Sequence, residues 1–340
     1  HWASLTNDMN RWTKALDWAK VVINSGEYGL LPDFGHLWDL QHEFSNESIF
    51  EIAFSRNNNG SQFPIWYNVY NNSGFAARSR TGGILIDMGL ADKLLATYGG
   101  NPDYRMEVQT NIKDIYYWVP GQTETAKVTY PYTKADLVTT KASNPLNLAN
   151  TNNYTLERFL FLKKYQDQAN TGPSGNENNA IVIRYPEMLL IAAEAEAVVS
   201  GAPNAAAVGY LNEVLTRARN GVALAEPKNV EVADFTDFEQ FRDRILIERT
   251  NEFMGELQIW MDERRLGLEH FRTAVEEHNV QWAKEKSGSS WNSLHLPGYI
   301  LNVELPTDDG SLIKNMLWPI PQSEIINNQG INDSDQNPGY

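Results

Sequence analysis

Hydrophobic positions in the first sixty residues predict one amphipathic helix and one strand. Between residues 12 and 23, apolar side chains recur at the i, i+3, i+4 and i+7 spacing of a helix, and Gly26 follows where such a helix would end. Residues 47–55, "ESIFEIAFS", instead alternate with the two-residue period of a strand. The chain therefore opens with a helix at about 8–26 that leads into a short strand.

Three further helical blocks are predicted in the second half of the chain. The pattern favours a helix at about 186–200 and another at about 204–220, each ended by a glycine, so the two should form a hairpin. A third block begins where Thr236 and Glu239 have the spacing of a capping box. Gly255 is expected to bend or interrupt this block.

The remaining segments lack a sustained period. Residues 56–83 mix Asn, Gly and Ser with aromatic residues, and a loop of this length is typically functional or disordered. Its aromatic residues favour an ordered loop. The sequence thus predicts a mainly α, single-domain protein with a few short strands. Its helical scaffold would span about 8–26 and 184–270, and its loop-rich, irregular half would span about 56–180 and 271–340.

Composition narrows the possible functions. The formal net charge is −15, which disfavours nucleic acid as a partner, because that partner requires a phosphate-neutralising surface. The absence of cysteine excludes disulfides, thiol catalysis and cysteine-ligated zinc. The chain contains 10 Trp and 15 Tyr, and flat aromatic rings of this kind either pack a core or form stacking surfaces.

Three glutamates interrupt the small and apolar residues of "RYPEMLLIAAEAEA". On a helix, Glu187 and Glu194 share one side, whereas Glu196 lies roughly opposite Glu194, so they cannot form one catalytic pair. Because a semi-buried carboxylate needs a partner, we predict a structural ion pair from Glu194 to Arg217 or Arg219 of the next helix. These glutamates are interpreted as structural.

Motifs for metal-dependent or nucleophilic chemistry are not visible. The six histidines show no H-E-x-x-H or comparable spacing, and no G-x-S-x-G elbow is present. Asp333, Asp335 and Asn337 alternate like the opening of a calcium loop, but no bidentate glutamate follows. We therefore predict no metal, no cofactor and no catalytic residue. Two alternatives stay open: a glycoside hydrolase with paired carboxylates, and a helical-repeat scaffold that binds only protein.

Four segments, in order, carry a resemblance to a known family. The stretches "IRYPEMLLIAAEAEA", "LNEVLTRARNG", "ILIERTNEFMGE" and the terminal "LWPIPQSEI" with "DQNPGY" resemble signature segments of the SusD/RagB family of nutrient-binding outer-membrane lipoproteins. The earlier "ALDWAKVVINSGEYGLLPDF" is similar to the helix that leads into the first strand of that family. The resemblance covers about 15–55 and 180–340.

The resemblance implies both a fold and a function. The expected fold is a SusD-like α/α superhelix of tetratricopeptide-like hairpins beside a loop-rich binding half. The expected function is non-catalytic binding of oligosaccharides or glycans at the cell surface and their delivery to a SusC-like TonB-dependent transporter. By the same comparison this chain is the C-terminal part of a longer protein, and a lipid anchor in the missing N-terminal region would be its only link to the outer membrane.

Candidate ligand-binding residues combine rings that stack on sugars with polar groups that bind hydroxyls. Most lie in the 56–83 segment, and the others follow in the cluster "DIYYWVP" and near the C-terminus. The candidates are Trp66, Tyr67, Asn68, Tyr70, Asn71, Asn72, Arg78, Tyr117, Trp118 and Trp291. The alternative role of the rings is internal packing: Trp66 and Tyr70 would anchor their own loop, and the rings of "DIYYWVP" would pack in the core.

Overall fold

The computed structural model describes most of the helical scaffold and part of the segments between its helices. The described residues are 1–55, 60–61, 98, 100, 103–117, 126–131, 162–165, 177–219, 226–256, 258–286 and 305–337.

Helices dominate the described part of the chain. In chain order the helices are α1 Trp2–Thr6, α2 Met9–Ser25, α3 Tyr104–Gln109, α4 Tyr185–Val199, α5 Ala205–Arg219, α6 Phe238–Glu252, α7 Gln258–Arg265, α8 Leu268–Lys286, α9 Asp309–Met316 and α10 Gln322–Asn327. The strands are β1 Ser48–Ile52, β2 Asp114–Tyr117, β3 Ala126–Thr129 and β4 Ala180–Arg184. A 3₁₀ turn, Phe34–Trp38, lies between α2 and β1. The predicted mainly α fold is confirmed.

Helix α4 is the centre of the scaffold. Its Ala192 and Ala195 face α2, where Trp12 and Leu16 complete one apolar cluster. Its other sides contribute to a second cluster with α5 and α6. Because neighbours surround it, α4 carries apolar residues on nearly all faces, and its alanines allow those neighbours to approach closely.

The ends of two helices show how local sequence sets their bounds. The side chain of Asp8 accepts the backbone N–H of Asn10 at the start of α2, and Gly26 adopts the left-handed conformation after its end. The predicted cap of α6 is shifted by one residue. Asp237, rather than Thr236, accepts the backbone N–H of Gln240, because a carboxylate at that position reaches the exposed N–H groups of the first turn.

The four strands of the described residues form two separate antiparallel pairs. β1 pairs with β4, with Ser48 opposite Arg184 and Ile52 opposite Ala180. β2 pairs with β3 in a second, separate sheet. The predicted strand at 47–55 is confirmed, although Phe50 is exposed.

The prediction of irregular structure after residue 270 is wrong for much of that region. Residues 271–286 continue α8, and α9 and α10 follow. Phe271, Leu312 and Met316 pack α8 against α9 in a small core. The sequence does not indicate this core clearly, because its apolar residues are few and far apart.

Within the described residues, no helix combines the length and the apolarity that a membrane crossing requires.

Gly255 forms the break between α6 and α7, as predicted. Its φ of +75° lies in the left-handed region, and its carbonyl accepts a hydrogen bond from Tyr165 Oη at 2.9 Å. A Cβ at this position would overlap the buried side chain of Leu162. Both the conformation and the close approach therefore favour glycine.

We expect Gly255→Ala to destabilise the protein more than Gly26→Ala does. Both glycines have a similar positive φ, so each substitution should cost about 1 kcal/mol from backbone strain. Nothing lies within 4 Å of a Cβ at Gly26, whereas Gly255→Ala must also displace Leu162, at roughly 1–3 kcal/mol. Urea unfolding of the two variants measures the difference, and equal losses of stability would show that the Leu162 contact is unimportant.

Candidate functional site

Most of the candidate ligand-binding residues lie outside the described residues. This applies to Trp66, Tyr67, Asn68, Tyr70, Asn71, Asn72, Arg78, Trp118 and Trp291, which therefore stay predictions. The backbone of Tyr117 is placed at the end of β2, opposite Ala126 of β3. The structure does describe a network of buried charged side chains on the elements that precede two of these segments, β1 and α3.

The glutamates of α4 are structural, but the predicted partner of Glu194 is wrong. Glu194 binds Arg265 at the end of α7 through two parallel bonds, Oε1 to Nη1 at 2.6 Å and Oε2 to Nη2 at 2.8 Å. Arg217 and Arg219 of α5 contact other groups. The reason is the direction of the side chain: α4 is surrounded, and Glu194 lies on the side that meets α7 rather than α5.

This ion pair continues through a row of alternating charges. Asp262 accepts hydrogen bonds from Arg265 Nε at 2.8 Å and from Arg249 Nε at 2.6 Å. Arg249 in turn lies 3.3 Å from Glu187 of α4. The two glutamates that share one side of α4 are thus joined through α6 and α7, so one row of charges fixes how three helices pack.

The remaining charged side chains of the hairpin contact other neighbours. Glu196 accepts a hydrogen bond from Lys20 of α2 at 2.7 Å, on the opposite side of α4 from Glu194. Arg219 binds the carbonyl of Pro227 and, at 2.8 Å, the side-chain oxygen of Asn229. Arg219 therefore anchors the segment that follows α5.

A larger buried network is centred on Glu252 at the end of α6. Its carboxylate accepts hydrogen bonds from the guanidinium groups of Arg105, Arg184 and Arg217, which come from α3, β4 and α5. All four side chains are nearly or fully buried. A buried carboxylate with three arginines needs further negative charge nearby, since each unpaired ion would carry a large desolvation cost.

Neighbouring carboxylates supply that charge. Glu47 binds Arg217 through both oxygens, at 2.8 and 2.7 Å, and also accepts the backbone N–H of Leu31 at 2.7 Å. Arg105 reaches Glu248 at 2.5 Å. The carboxylates and cations alternate, so most hydrogen-bonding groups in the network are satisfied.

A second carboxylate, Glu256, extends the network toward Lys164. Arg184 donates to both of its oxygens, at 2.9 and 3.1 Å, and Lys164 Nζ donates at 2.7 Å. Lys164 also donates to Gln109 Oε1 at 3.1 Å and lies over the Trp38 ring at 4.3 Å. The network therefore links α3, the 162–165 segment and the Phe34–Trp38 turn.

Burial and opposite charge compete in setting the pKa values of these groups. Burial alone would raise the pKa of Glu252, but Arg217, Arg184 and Arg105 outweigh it and hold that pKa below its ordinary value. For Lys164 the balance is reversed. Burial lowers its pKa to about 8, although Glu256 opposes the shift.

The network lies where the candidate segments join the scaffold. Glu47 directly precedes β1, which leads toward the 56–83 segment, and Arg184 ends β4 beside it. Arg105 belongs to α3, which is followed by β2 and the candidates Tyr117 and Trp118. The buried charges therefore hold the elements that precede these segments.

Most of this network is not predicted from the sequence, although part of its signal is visible there. Glu248, Glu252 and Glu256 follow one another at four-residue spacing, so a continuous helix would place them on one face. That row of acids within an otherwise core-packed block indicates a cationic partner. Arg184 and Glu47 offer no such signal, because each is a single charge beside a short strand.

We expect Glu194→Ala to destabilise the protein by about 3 kcal/mol, because it leaves part of the buried Arg265 guanidinium without its bidentate partner. Glu196→Ala on the opposite side is the matched control and should cost less than about 1 kcal/mol, since Lys20 is partly exposed. Urea unfolding compares the two variants. Equal costs would contradict the importance assigned to the Glu194–Arg265 pair.

We also expect Glu252→Gln to change how stability depends on pH. A carboxyl whose folded pKa is lowered stabilises the protein fully above its ordinary pKa of 4.5 and loses that contribution as the pH falls toward the folded value. At neutral pH the substitution should cost about 3–5 kcal/mol, and the difference from the wild type should shrink below pH 4.5.

Urea unfolding at a series of pH values measures this effect, with the exposed Glu324→Gln as control. A difference between wild type and Glu252→Gln that stays constant down to strongly acidic pH would contradict the assignment of a lowered pKa to Glu252.

Comparison with known proteins identifies the family of this scaffold. SusD-like protein P2 of Formosa agariphila is 29% identical over 213 residues, which cover 62% of this chain and 34% of that protein. A SusD homolog from Bacteroides thetaiotaomicron superposes with a TM-score of 0.65 at 21% identity, over 98% of this chain and 60% of that chain.

Surface glycan-binding protein A from Bacteroides thetaiotaomicron, in complex with laminarihexaose, gives a TM-score of 0.57 at 23% identity, over 98% of this chain and 61% of that chain. The chain thus spans about a third of the curated relative and about three fifths of these two structures. The model of the SusD family matches residues 46–340, which is most of the sequence. The chain therefore belongs to the SusD family.

Proposed function

We propose that this protein binds glycans at the cell surface without cleaving them and delivers them to a SusC-like TonB-dependent transporter in the outer membrane. The observation that carries the proposal is the SusD family match over residues 46–340. A structure with the same fold is that of a surface glycan-binding protein bound to laminarihexaose, an oligosaccharide. A lipid anchor would hold the whole protein at the outer membrane.

The buried framework supports a binding role better than a catalytic one. The carboxylates of the network, including Glu252 and Glu256, are fully or almost fully buried and engaged by arginine or lysine. A glycoside hydrolase needs one acid and one base or nucleophile that reach the sugar. The glutamates described in this network are instead held as ion-paired groups within the scaffold.

We assign sugar contact to the aromatic and amide side chains of the candidate segments. Trp66, Tyr67 and Tyr70 would stack on sugar rings, and Tyr117, Trp118 and Trp291 would add further ring contacts. The polar complement would be Asn68, Asn71, Asn72 and Arg78. β1, which precedes the first segment, is paired with β4, and Tyr117 belongs to β2, which is paired with β3.

The test measures retention of the full-length protein on a panel of plant, host and microbial polysaccharides, including laminarin. We expect retention without new reducing ends. New reducing ends would show a hydrolase, whereas lack of retention on every glycan would contradict glycan binding. Co-purification of a TonB-dependent transporter from the native membrane tests delivery separately.

We expect Trp66→Ala and Trp118→Ala to weaken binding of the retained glycan about five- to tenfold, because a stacking contact contributes about 1 kcal/mol. Their thermal transitions should stay close to that of the wild type. Trp18→Ala, which removes an exposed ring from α2, is the matched control and should leave binding unchanged. Calorimetric titration measures the affinities.

A large loss of stability in either variant would show that its tryptophan packs inside the protein. If either variant loses several kcal/mol of stability, as truncation of a buried tryptophan does, that ring packs a core and does not contact the ligand.

A further inference from the structure

A cluster of two histidines and one aspartate lies on the exposed side of the turn between α2 and β1. One ring nitrogen of His36, one of His42 and a carboxylate oxygen of Asp39 all lie within 4.8 Å of one another. The histidine spacing in the sequence does not suggest this cluster, because the residues are brought together by an irregular turn rather than by a helix.

We propose that His36, Asp39 and His42 form a binding site for a divalent transition-metal ion such as Zn²⁺ or Ni²⁺. These ions prefer imidazole nitrogen as a ligand, and the carboxylate oxygen of Asp39 supplies the third ligand atom. Hard ions such as Ca²⁺ prefer several oxygen ligands, and this cluster offers only one carboxylate. The proposal is independent of glycan binding.

The backbone of the cluster is held in place from beneath. Phe34 is buried and lies under the guanidinium groups of Arg184 and Arg217, at 5.8 and 5.0 Å. Trp38 lies edge-on to Tyr165, with ring centroids 5.7 Å apart. Both ends of the 3₁₀ turn are therefore fixed on the buried network, and His36, between them, projects from a well-anchored segment.

Asp39 orders the other half of the cluster. Its Oδ1 accepts the backbone N–H groups of Gln41 and His42, each at 3.0 Å, and lies 2.6 Å from His42 Nδ1. A metal ion bound to both of these atoms would replace the hydrogen that lies between them. The contact thus already holds two ligand atoms of the proposed site, Asp39 Oδ1 and His42 Nδ1, side by side.

The two imidazole rings need only a small rearrangement to bind one ion. They are stacked with centroids 4.2 Å apart and an interplanar angle of 4°. A metal lies in the plane of each ligating ring at about 2.0–2.1 Å from nitrogen, so the rings must rotate out of this parallel arrangement. Such rotation is feasible because His36 is exposed and His42 is partly exposed.

The test is a calorimetric titration of the full chain, freed of metal by chelation, with Zn²⁺ and separately with Ni²⁺. We expect one saturable site that His36→Ala and His42→Ala each weaken more than tenfold. Asp39→Asn should also weaken it more than tenfold, because a neutral amide oxygen replaces the carboxylate ligand. His1→Ala and His270→Ala are controls that should bind as the wild type does.

Electron paramagnetic resonance of bound Cu²⁺ provides a direct view of the ligands. Two imidazole nitrogens should couple to the copper in the wild type and only one in His42→Ala. Absence of saturable binding up to millimolar metal would overturn the proposal. So would equal affinity of the wild type and both histidine variants. An unchanged thermal transition in each variant confirms that these exposed substitutions leave the fold intact.

Discussion

The buried ion network around Glu252 is the constraint on which the rest of the structure depends. Three arginines from three separate elements meet its carboxylate in the interior, and each would be costly to bury without it. Glu47 also binds Arg184 and Arg217, and Glu256 also binds Arg184, so the ends of β1, β4, α5 and α6 are fixed relative to one another. Apolar packing alone, which tolerates sliding, would not specify these positions as narrowly.

This network and the row of charges through Asp262 fix different parts of the helical scaffold. The Asp262 row joins α4 to α6 and α7, whereas the Glu252 network joins the strand ends to α5 and α6. The apolar core between them contributes the bulk of the driving force for folding. The ionic groups contribute a defined register between these elements.

The helical pattern could be predicted from sequence, but the partners of the buried charges could not. The bounds of α4 and α5 follow from apolar periodicity and from the glycines after them. The partner of Glu194 lies 71 residues away in the sequence. Apolar periodicity shows which residues share one side of α4, but it does not show which neighbouring helix packs against that side. Helices after residue 270 were missed because their cores are small. The aromatic candidates are recognised by residue type alone, so their roles stay predictions.

A double-mutant cycle between Glu47 and Arg217 tests most directly whether the buried network specifies the fold. Glu47→Gln, Arg217→Met and the double variant are compared with the wild type by urea unfolding, beside a second cycle on the partly exposed pair Lys20 and Glu196. We predict a coupling energy of about 2–3 kcal/mol for the buried pair and about 0.5 kcal/mol or less for the other. Coupling near zero between Glu47 and Arg217 would contradict the role given to the network.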